Sequence, residues 1–595
     1  MISRTFEIPE YCLSNQPRDD IFASKRNGEW EKVSTKEYVE KSRLVALGLL
    51  SLGLKRNDKI VTICDNNRHE WNFIDMGTAM AGLIHVPVYP TLSKNEFKFI
   101  FNQAQIKYIF VSDERIYKII DPILKETPSV TSVFSIVDSV KGISSWEKIF
   151  DLGLKNKYNL NEKLKLIQQS ILPEDPVTLI YSSGTTGTPK GVLLSHNNLI
   201  SSILATSSLH PLKYGEKYLS FLPLSHIYER ITNYQFQYSG LSIYYAENFL
   251  KVMDNIIETR PHAITTVPRI LEKLQNQLIL HGEELRGWKK KIFQYSIDLA
   301  KHYPDDHKKS MLFTIKNYIA DVFVFKKFRK QLGGNIKFIG CGGAKLNPRV
   351  ERSLWTASLP VFQGYGLTET SPLISLNTIP LHKSRIGSIG PIIPGVKVKI
   401  GKDGEILCKG PNVMLGYYQD EKSTKKVINS KGWFQTGDKG YLSTDGFLYI
   451  TGRKKEIFKT SYGKYVAPQY IESRFRESLL ISHIMVVGEG RKFIGALILP
   501  NFELLYKWIV SIYKTKGFNK EELINLPQIQ NLLKIEINQI NKSLSNFEQI
   551  KNHHFICDDW SVSTGEFSHN LKLKRSFNKK KYKHQINHIF KEKGE

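Results

Sequence analysis

The 595-residue chain has few cysteines and no long apolar run. Its five cysteines are odd in number and scattered, and no two form a Cys-x-x-Cys pair, which predicts reduced thiols and argues against a disulfide framework or a metal site. No stretch approaches the ~20 consecutive apolar residues that a membrane-spanning helix needs. Charges interrupt the first ten residues, where a signal peptide requires an apolar core. We therefore expect a cytoplasmic protein that touches membranes, if at all, from the cytoplasmic side.

Acidic residues are in deficit. The chain has 57 Asp and Glu against 84 Lys and Arg, a net charge of +27. Such an excess suggests either nucleic acid or an anionic membrane surface as a partner. No zinc-finger spacing, RNA-recognition signature or basic zipper is present, so we expect no nucleic acid partner. Lysine is abundant throughout, and general compositional drift explains the charge equally well.

The stretch from Tyr181 to Gly191 is rich in Gly, Ser and Thr and lies between two apolar runs. The apolar runs predict two strands joined by a hairpin. Its glycines let backbone N–H groups converge on oxyanions, and its hydroxyls and Lys190 add donors and charge, as a polyphosphate site requires. Pro189 breaks the P-loop pattern, which argues against a kinase or a GTPase. The alternative is a surface hairpin that binds nothing.

Residues 182–191, Ser-Ser-Gly-Thr-Thr-Gly-Thr-Pro-Lys-Gly, resemble the signature loop of adenylate-forming enzymes: acyl-CoA synthetases, luciferases and nonribosomal adenylation domains. The resemblance implies that the loop holds the phosphates of ATP. The residues it assigns to them are Ser182, Ser183, Gly184, Thr185, Thr186, Gly187 and Lys190.

Strand and helix patterns alternate in the first part of the chain. A helix is predicted over residues 30–54, a strand over 59–64, a helix over 71–83 and strands at 108–111 and 133–137, which together favour a mostly parallel α/β sheet. Short strands and glycines from 387 to 417 predict a small β-barrel-like subdomain. The expected fold is α/β, with a large N-terminal adenylation domain over 1–454 and a mobile, smaller α+β C-terminal domain over 455–595.

Two glycine-rich segments follow predicted strands, and strand ends are where an open α/β sheet binds its ligands. The first ends at Gly343-Ala344, and the second is Gly364-Tyr-Gly-Leu-Thr-Glu369. The resemblance implies that Tyr365 stacks on adenine, that Thr368 bonds the α-phosphate and that Glu369 binds Mg²⁺, a hard cation that prefers oxygen ligands. The adenine site would comprise Gly343, Ala344, Gly364, Tyr365 and Gly366.

Residues 432–438 and 446–456 together resemble the fatty acyl-CoA synthetase signature. The resemblance implies that Asp438 accepts hydrogen bonds from the ribose hydroxyls and that Arg453 contacts the ribose and phosphate. Lys455 would be the hinge of the C-terminal domain. Without the surrounding motif, an Asp after Thr-Gly predicts only a turn or a cap.

The segment 221–230 is close to a motif of long-chain members of the family. The match implies that His226 and Tyr228 lie where the substrate carboxylate meets the acyl tunnel. The alternative is a buried His and Tyr at a strand end.

A later segment matches the one that forms the pantetheine channel in the family; its residues are Ser461, Tyr462, Gly463 and Lys464. Tyr462 stands where the family has a second glycine, which leaves open whether the acyl acceptor is CoA or an acyl-carrier protein.

Near the end of the chain, residues 565–575 align with the catalytic-lysine loop of the family. By register, Lys572 is the candidate catalytic lysine and Lys574 is its competitor. The alternative is that this segment is a plain basic tail.

Residues 272–332 are predicted to be helical and place apolar and aromatic residues beside lysines, as in an interfacial helix on an anionic membrane. An ordinary basic helix pair packed on the core is the other interpretation.

The motifs together predict a long-chain fatty acid CoA ligase that uses ATP, CoA and Mg²⁺. The acid would attack ATP to give an acyl-adenylate and pyrophosphate, with Lys572, Thr368 and Glu369 as catalytic residues. A thiol would then displace AMP after the C-terminal domain turns about Lys455. Alternatives are transfer to an acyl-carrier protein, a binding protein with a decayed active site, and a nucleic-acid binder supported by charge alone.

Overall fold

The structure, a computed structural model, describes residues 2–137, 140–182, 189–283, 285–378, 384–454, 456–513, 517–568 and 572–591. Within these ranges the strands β1 to β25 are, in order, Phe22–Arg26, Glu29–Val33, Lys59–Ile63, Ile84–Val88, Ile106–Val111, Ser132–Ser135, Ser144–Ser145, Pro176–Ser182, Lys190–Ser195, Lys217–Ser220, Ser242–Tyr245, Ala263–Thr266, Phe338–Cys341, Val361–Gly366, Leu373–Leu376, Lys397–Ile400, Glu405–Lys409, Gly416–Tyr417, Phe434–Leu442, Leu448–Arg453, Phe458–Lys459, Tyr465–Val466, Ile481–Val487, Ile494–Pro500 and Ile550–Phe555.

Helices cover the sheets. In chain order α1 to α22 are Ile8–Asn15, Thr35–Ser51, His69–Met80, Lys94–Ala104, Glu114–Leu124, Glu147–Lys155, Lys157–Ser170, His196–Thr206, Ile227–Tyr238, Val252–Thr259, Pro268–Glu283, Gly287–Lys301, Met311–Ala320, Lys326–Gln331, Pro348–Thr356, Glu421–Val427, Pro468–Phe475, Phe502–Tyr513, Lys520–Asn525, Pro527–Asn541, Arg575–Lys581 and Lys583–Ile589. Short 3₁₀ turns lie at Thr5–Glu7, Phe249–Lys251 and Thr368–Thr370, and a π-helical turn lies at Asp321–Phe325.

Two eight-stranded sheets form the centre of the large N-terminal part. The strand orders are β15-β14-β13-β12-β10-β11-β1-β2 and β18-β9-β8-β4-β3-β5-β6-β7. Strands β14, β13, β12, β10, β11 and β1 run parallel in the first sheet, as do β8, β4, β3, β5, β6 and β7 in the second. The strands are largely buried because helices cover the sheets, as parallel sheets require. The predicted mostly parallel α/β architecture is confirmed.

The first predicted long helix is shorter than expected. Residues 29–33 instead form β2, which pairs antiparallel with β1, and α2 begins at Thr35. Ser34 fixes this start as a capping box: its side chain accepts from the backbone N–H of Glu37, and the Glu37 carboxylate accepts from the backbone N–H of Ser34. Local capping and strand pairing therefore outweigh the helical period of residues 30–34.

Smaller sheets complete the fold. Strands β16 and β17, which lie in the region 387–417 predicted to be barrel-like, form an antiparallel four-stranded sheet with the later strands β19 and β20. The C-terminal part contains the β21–β22 hairpin and the three-stranded sheet β23-β24-β25, packed with α17 to α22. The predicted large α/β part and smaller α+β part are both present.

Within the described residues, no helix combines the length and apolar character that crossing a bilayer demands. All five cysteines are free.

A buried ionic cluster joins the two large sheets. Arg230 on α9 donates to Asp75 on α3 at 2.5 Å and to Thr178 on β8 at 2.6 Å. The Asp75 carboxylate also bonds the ring of His85 at 2.6 Å and the hydroxyl of Tyr234. Arg230 and Asp75 are both fully buried. Their pairing ties the helix that follows β10 to the second sheet, and so fixes the first turn of α9.

Removing one partner of this cluster is expected to destabilise the protein strongly. Asp75→Ala leaves the Arg230 charge buried and unpaired, which costs about 3–5 kcal/mol. The shift in urea midpoint measures the loss. The exposed Asp254, paired with Lys251 at 3.0 Å, is the matched control, and Asp254→Ala should change the free energy of unfolding by less than about 1 kcal/mol. Equal effects of the two substitutions would contradict the assigned role of the cluster.

Candidate active site

The hydroxyl-rich hairpin is anchored by β8 and β9, which pair antiparallel with Ser182 opposite Lys190. The predicted strands on both sides of the loop are thus confirmed. Ser183, Gly184, Thr185, Thr186 and Gly187 lie outside the described residues. At the end of the loop, the Lys190 ammonium donates to Ser423 Oγ at 2.7 Å and lies 4.8 Å from the ring centroid of Tyr417.

Tyr417 links this hairpin to the 3₁₀ turn Thr368–Thr370, here called the Glu369 turn. Its backbone pairs with Val192 on β9, and its hydroxyl donates to Glu369 Oε1 at 2.9 Å. Burial, and then the Glu369 charge, raise the pKa of Tyr417 well above its ordinary value, so the hydroxyl remains a donor. Lys190 and Glu369 therefore both contact Tyr417, the ammonium near its ring and the carboxylate at its hydroxyl. The sequence offered no sign of this role for Tyr417.

The Glu369 turn follows β14 and is shaped by Gly366. A Cβ at position 366 would lie 1.6 Å from the carbonyl oxygen of Pro372, so a larger residue would force the turn open. Thr368 and Glu369 are half-buried in the 3₁₀ turn that the close approach produces. The turn is also joined to the hairpin sheet, because Met414 N donates to the Glu369 carbonyl at 2.9 Å.

Asp438 is the centre of a second cluster. It lies opposite Arg453 in the β19–β20 pair, and Arg453 Nε donates to Asp438 Oδ1 at 3.1 Å. The Tyr365 hydroxyl donates to Asp438 Oδ2 at 2.8 Å. Burial, and then the Asp438 charge, raise the pKa of Tyr365 well above its usual value. Tyr365 from the glycine-rich segment and Arg453 from the signature thus converge on the buried carboxylate of Asp438.

The Asp438 cluster borders a cleft between the N-terminal and C-terminal parts, with a volume of about 1010 Å³, whereas Lys190, Thr368 and Glu369 do not line it. Strands β12, β13 and β14 run parallel, so their carboxyl ends reach the same edge of the sheet. Gly343 follows β13 with φ +83°, a left-handed conformation that favours glycine. The predicted site residues that line the cleft are Gly343, Ala344, Gly364, Tyr365, Gly366, Asp438, Arg453 and Lys572.

His226 and Tyr228 lie at the start of α9. His226 is the N-cap, and its Nδ1 accepts from the backbone N–H of Tyr228 at 3.1 Å. The ring of Tyr228 packs against the end of β13, where Gly340 and Gly342 have no side chain to exclude it. Tyr228 therefore adjoins the glycine-rich turn after β13, and His226 lies two residues before Tyr228 at the helix start.

The adjacent Glu229 holds this helix start in place. It is fully buried and accepts from Tyr218 at 2.5 Å, Ser220 at 2.6 Å and Thr265 at 2.7 Å. Burial raises the pKa of Glu229 to about 7. The three donors come from β10 and β12, so Glu229 fixes the orientation of His226 against the first sheet. Sequence analysis gave Glu229 no role.

Lys572 extends from the C-terminal part into the cleft. Its backbone is held to Ser568, with Lys572 N donating to Ser568 Oγ at 3.1 Å and Ser568 N donating to the Lys572 carbonyl at 2.8 Å. Part of the residue remains exposed. Loss of hydration around the ammonium, and then the Arg453 charge, lower the pKa of Lys572 to about 8, against the opposing effects of Asp438 and Glu369.

The charge of Lys572 also affects the pKa of His226. Burial, and then the Lys572 charge, lower the pKa of His226 to about 4, so its ring is neutral at physiological pH. The competitor Lys574 has a different environment, since its ammonium lies 5.8 Å from the ring centroid of Phe577. Lys572, rather than Lys574, is thus the lysine that the fold brings to the cleft.

The loop that carries Lys572 is fastened by residues that the sequence did not single out. Arg575 donates to Glu472 at 2.5 Å and to Glu456 at 3.1 Å, beside the predicted hinge. Lys455 itself lies outside the described residues. On the N-terminal side, the Arg269 guanidinium lies 5.1 Å from the ring centroid of Phe567. Contacts to both parts therefore hold Phe567 and Arg575, on either side of Lys572 in the chain.

The structure does not bring the segment Ser461–Lys464 to the cleft. It forms the turn of the β21–β22 hairpin, and all four residues are exposed, Tyr462 by 72%. Gly463 has φ +79°, which explains the glycine at that position. Ser461 N donates to the Arg491 carbonyl at 3.0 Å, so the turn is held within the C-terminal part.

No cluster of three or more His, Cys, Asp or Glu residues within the described ranges has the geometry of a metal site. The Glu369 carboxylate accepts from the hydroxyl of Tyr417, whose ring lies beside Lys190 at the end of the hairpin. Mg²⁺ commonly binds through one or two carboxylates together with substrate phosphates rather than in an all-protein cage. The residues present therefore fit Mg²⁺ that arrives with a nucleotide.

The chain matches two sequence families, described as "AMP-binding enzyme" over residues 10–418 and "AMP-binding enzyme C-terminal domain" over residues 455–594. It is 31% identical over 583 residues to the long-chain-fatty-acid–CoA ligase FadD15 of Mycobacterium bovis, covering 96% of this chain and 95% of that protein. It is 30% identical to the peroxisomal long chain acyl-CoA synthetase 6 of Arabidopsis thaliana, covering 89% and 77%.

Among solved structures, the A domain of carboxylic acid reductase from Segniliparus rugosus, in complex with AMP and a co-purified carboxylic acid, superposes with a TM-score of 0.72. The match covers 99% of this chain and 94% of that one at 19% identity. This likeness shows a shared fold.

Proposed function

Because the chain belongs to the AMP-binding enzyme family, we propose that it is a long-chain fatty acid CoA ligase. It activates a long-chain fatty acid with ATP and transfers the acyl group to CoA, releasing AMP and pyrophosphate. The observation that carries the proposal is the convergence of Lys572, Asp438 and the glycine-rich turn after β13 on one cleft, in a chain whose full-length relatives have this name.

In the first half-reaction, a carboxylate oxygen of the acid attacks the α-phosphorus of ATP. A bond from that phosphorus to the acid oxygen forms as the bond to the bridging oxygen breaks, and pyrophosphate leaves with the bonding electrons. Negative charge grows on the α-phosphate and the leaving group, where fixed donors and cations lower the barrier. We assign this role to Lys572, to Thr368 and to the hairpin with Lys190.

The nucleoside is assigned to the other side of the cleft. Asp438 accepts from the ribose hydroxyls, Arg453 contacts the ribose and phosphate, and Tyr365 lies against adenine beside Gly343 and Ala344 in the proposal. His226 and Tyr228 place the acid carboxylate, and a neutral His226 adds no further cation beside Lys572 and Arg453. Mg²⁺ bound through Glu369 would supply positive charge to the phosphate oxygens.

In the second half-reaction, the CoA thiol loses its proton and its sulfur attacks the acyl carbonyl, after which AMP leaves. Lys572 and its loop occupy the cleft in the present conformation, so the thiol needs a different one. We propose that the chain divides into domains 1–454 and 455–595, and that the second turns about Lys455. This rotation would carry the exposed Ser461–Lys464 hairpin toward the cleft. Domain movements of this kind let one site serve two steps.

CoA is the proposed acceptor. The names of the full-length relatives favour it, and the ring of Tyr462 is exposed rather than packed across the cleft. The test is to supply palmitate, ATP and Mg²⁺ and measure AMP after adding either CoA or a phosphopantetheinylated carrier protein. Equal amounts of AMP and palmitoyl-CoA support the proposal. Formation of ADP, or faster release with the carrier, contradicts it. A cytoplasmic location remains a prediction from the sequence.

The pKa of Lys572 predicts a basic limb in the pH profile of adenylation, that is, a rate that falls at high pH. Its ammonium stabilises phosphate charge only while protonated, and its pKa in the free enzyme is lowered to about 8. The value of kcat/KM for ATP, which reports the free enzyme, should therefore be constant below that pH and fall above it. Lys572→Arg should move the limb to higher pH, since a guanidinium stays protonated. An unchanged limb in this variant would assign the titration to another group.

A further inference from the structure

Helix α13 and the π-helical turn after it expose an apolar face, here called the α13 face: Leu312, Ile315, Tyr318, Ile319, Val322 and Phe323. These side chains are 43% to 71% exposed. Of the 26 exposed large hydrophobic side chains in the described ranges, nine lie between residues 288 and 323. Single exposed apolar residues are ordinary, whereas a contiguous patch marks an interaction surface.

The spacing of these residues places them on one side of a helix. Positions 312, 315, 319 and 322 follow the three- and four-residue steps that align side chains. Trp288 of α12, 60% exposed, enlarges the face, since its ring centroid lies 6.2 Å from that of Phe323. The opposite side of the segment is buried through Ala320 and Phe325, which belong to the core beneath. The helix is therefore held on its inner side and uncovered on its outer side.

Positive charge surrounds the α13 face. From residue 288 to 330 the chain has eleven Lys and Arg but four Asp. Each of the four acids is paired with a basic side chain, including Asp305 with Arg352 and Asp321 with Arg329. Lys316, Lys326, Lys327 and Lys330 are exposed on or just after the face. The partner surface must therefore be apolar in its centre and anionic around it.

We propose that the α13 face binds the surface of an anionic lipid bilayer. Apolar side chains beside lysines suit the headgroup boundary, where rings and aliphatic chains enter the acyl layer while ammonium groups meet lipid phosphates. A second copy of the chain is a poor occupant, because a symmetric contact would bring the same lysines together and like charges repel across an interface. The bilayer also holds the long-chain acid that the proposed function consumes, a link that depends on that function.

Vesicle binding tests the surface without any catalytic step. The protein, without ATP, is sedimented with vesicles of phosphatidylcholine alone or mixed in equal parts with phosphatidylglycerol. The test variant replaces Leu312, Ile315 and Ile319 by serine. The matched control makes the same change at Leu154, Tyr158 and Leu166, which are 53% to 93% exposed but lie on α6 and α7. A second variant replaces Lys326, Lys327 and Lys330 by glutamine.

Wild type and the α6–α7 control should bind the anionic vesicles. The serine variant should bind at least about tenfold more weakly, because each buried CH₂ adds about 0.8 kcal/mol. The glutamine variant should lose roughly fivefold per charge removed. Unchanged binding by the serine variant overturns the proposal, and so does self-association that this variant abolishes in a protein that does not bind vesicles.

A separate experiment tests whether the α13 face matters for the use of an acid held in a bilayer. Pyrophosphate release is measured with palmitate in anionic vesicles and with palmitate in detergent micelles. The serine variant should lose activity only with vesicles. Loss with micelles as well, in a protein that still binds vesicles, contradicts the surface assignment. Absence of activity in wild type with either form of palmitate would contradict the proposed function and leave vesicle binding as the test of the surface.

Discussion

Lys572→Ala is expected to slow acyl-adenylate formation by about 10²–10³-fold, the usual effect of removing one fixed donor from a site of developing negative charge. Thioester formation from supplied palmitoyl-adenylate should be largely retained, because in the proposed mechanism the lysine leaves the cleft before the thiol enters. Single-turnover pyrophosphate release measures the first half-reaction, and palmitoyl-CoA formation from the adenylate measures the second.

Lys574→Ala is the matched control for this experiment. Lys574 belongs to the same basic segment but lies on the ring of Phe577, so its removal should change neither half-reaction appreciably. Equal loss of both half-reactions in Lys572→Ala would show a structural or binding role instead. A larger loss of adenylation in Lys574→Ala than in Lys572→Ala would assign the catalytic role to the other lysine.

Asp438→Ala should lower kcat/KM for ATP by roughly 10²–10⁴-fold, because two hydrogen bonds to a charged acceptor contribute about 1.5–3 kcal/mol each. The carboxylate is buried, and Arg453 and the Tyr365 hydroxyl converge on it. Its loss removes the proposed ribose acceptor and leaves both donors without their partner. Initial rates of pyrophosphate release over a range of ATP concentrations measure the effect.

2′-DeoxyATP separates ribose binding from a structural role for Asp438. Wild type should prefer ATP to 2′-deoxyATP, and this preference should fall toward unity in Asp438→Ala. Asp403→Ala is the control, since Asp403 is an exposed acid of the same region, paired with Lys454 at 2.7 Å. A preference for ATP that survives in Asp438→Ala would contradict the ribose assignment even if overall activity were low.

Much of the fold and of the cleft could be predicted because it depends on local pattern. Apolar β-formers around residues 183–189 gave β8 and β9, and alternating strands and helices gave the parallel sheets. Glycine-rich ends of β13 and β14 were expected to meet, since parallel strands end at one edge of a sheet. The structure brings the glycine-rich ends of β13 and β14 to one cleft and places Lys572 there from the C-terminal part, whereas Lys190 of the hairpin does not line it.

Contacts between distant segments were not predictable in this way. Tyr417 and Glu369 are 48 positions apart, Arg575 and Glu472 103, and Arg230 and Asp75 155. Each pair depends on which element packs against which, and periodicity or a turn signal carries no information about that choice. The helix start at Thr35 was missed for a related reason, because strand pairing with β1 overrode the local helical period.

The central claim is that one cleft holds the acyl-adenylate, with the ribose at Asp438 and the phosphate between Thr368 and Lys572. The most direct measurement is a crystal structure with a non-hydrolysable palmitoyl-adenylate analogue. We expect ribose hydroxyls within hydrogen-bond distance of Asp438 and the phosphate mimic within reach of Thr368 and the hairpin that ends at Lys190. An analogue bound elsewhere, or a ribose directed away from Asp438, would contradict the account.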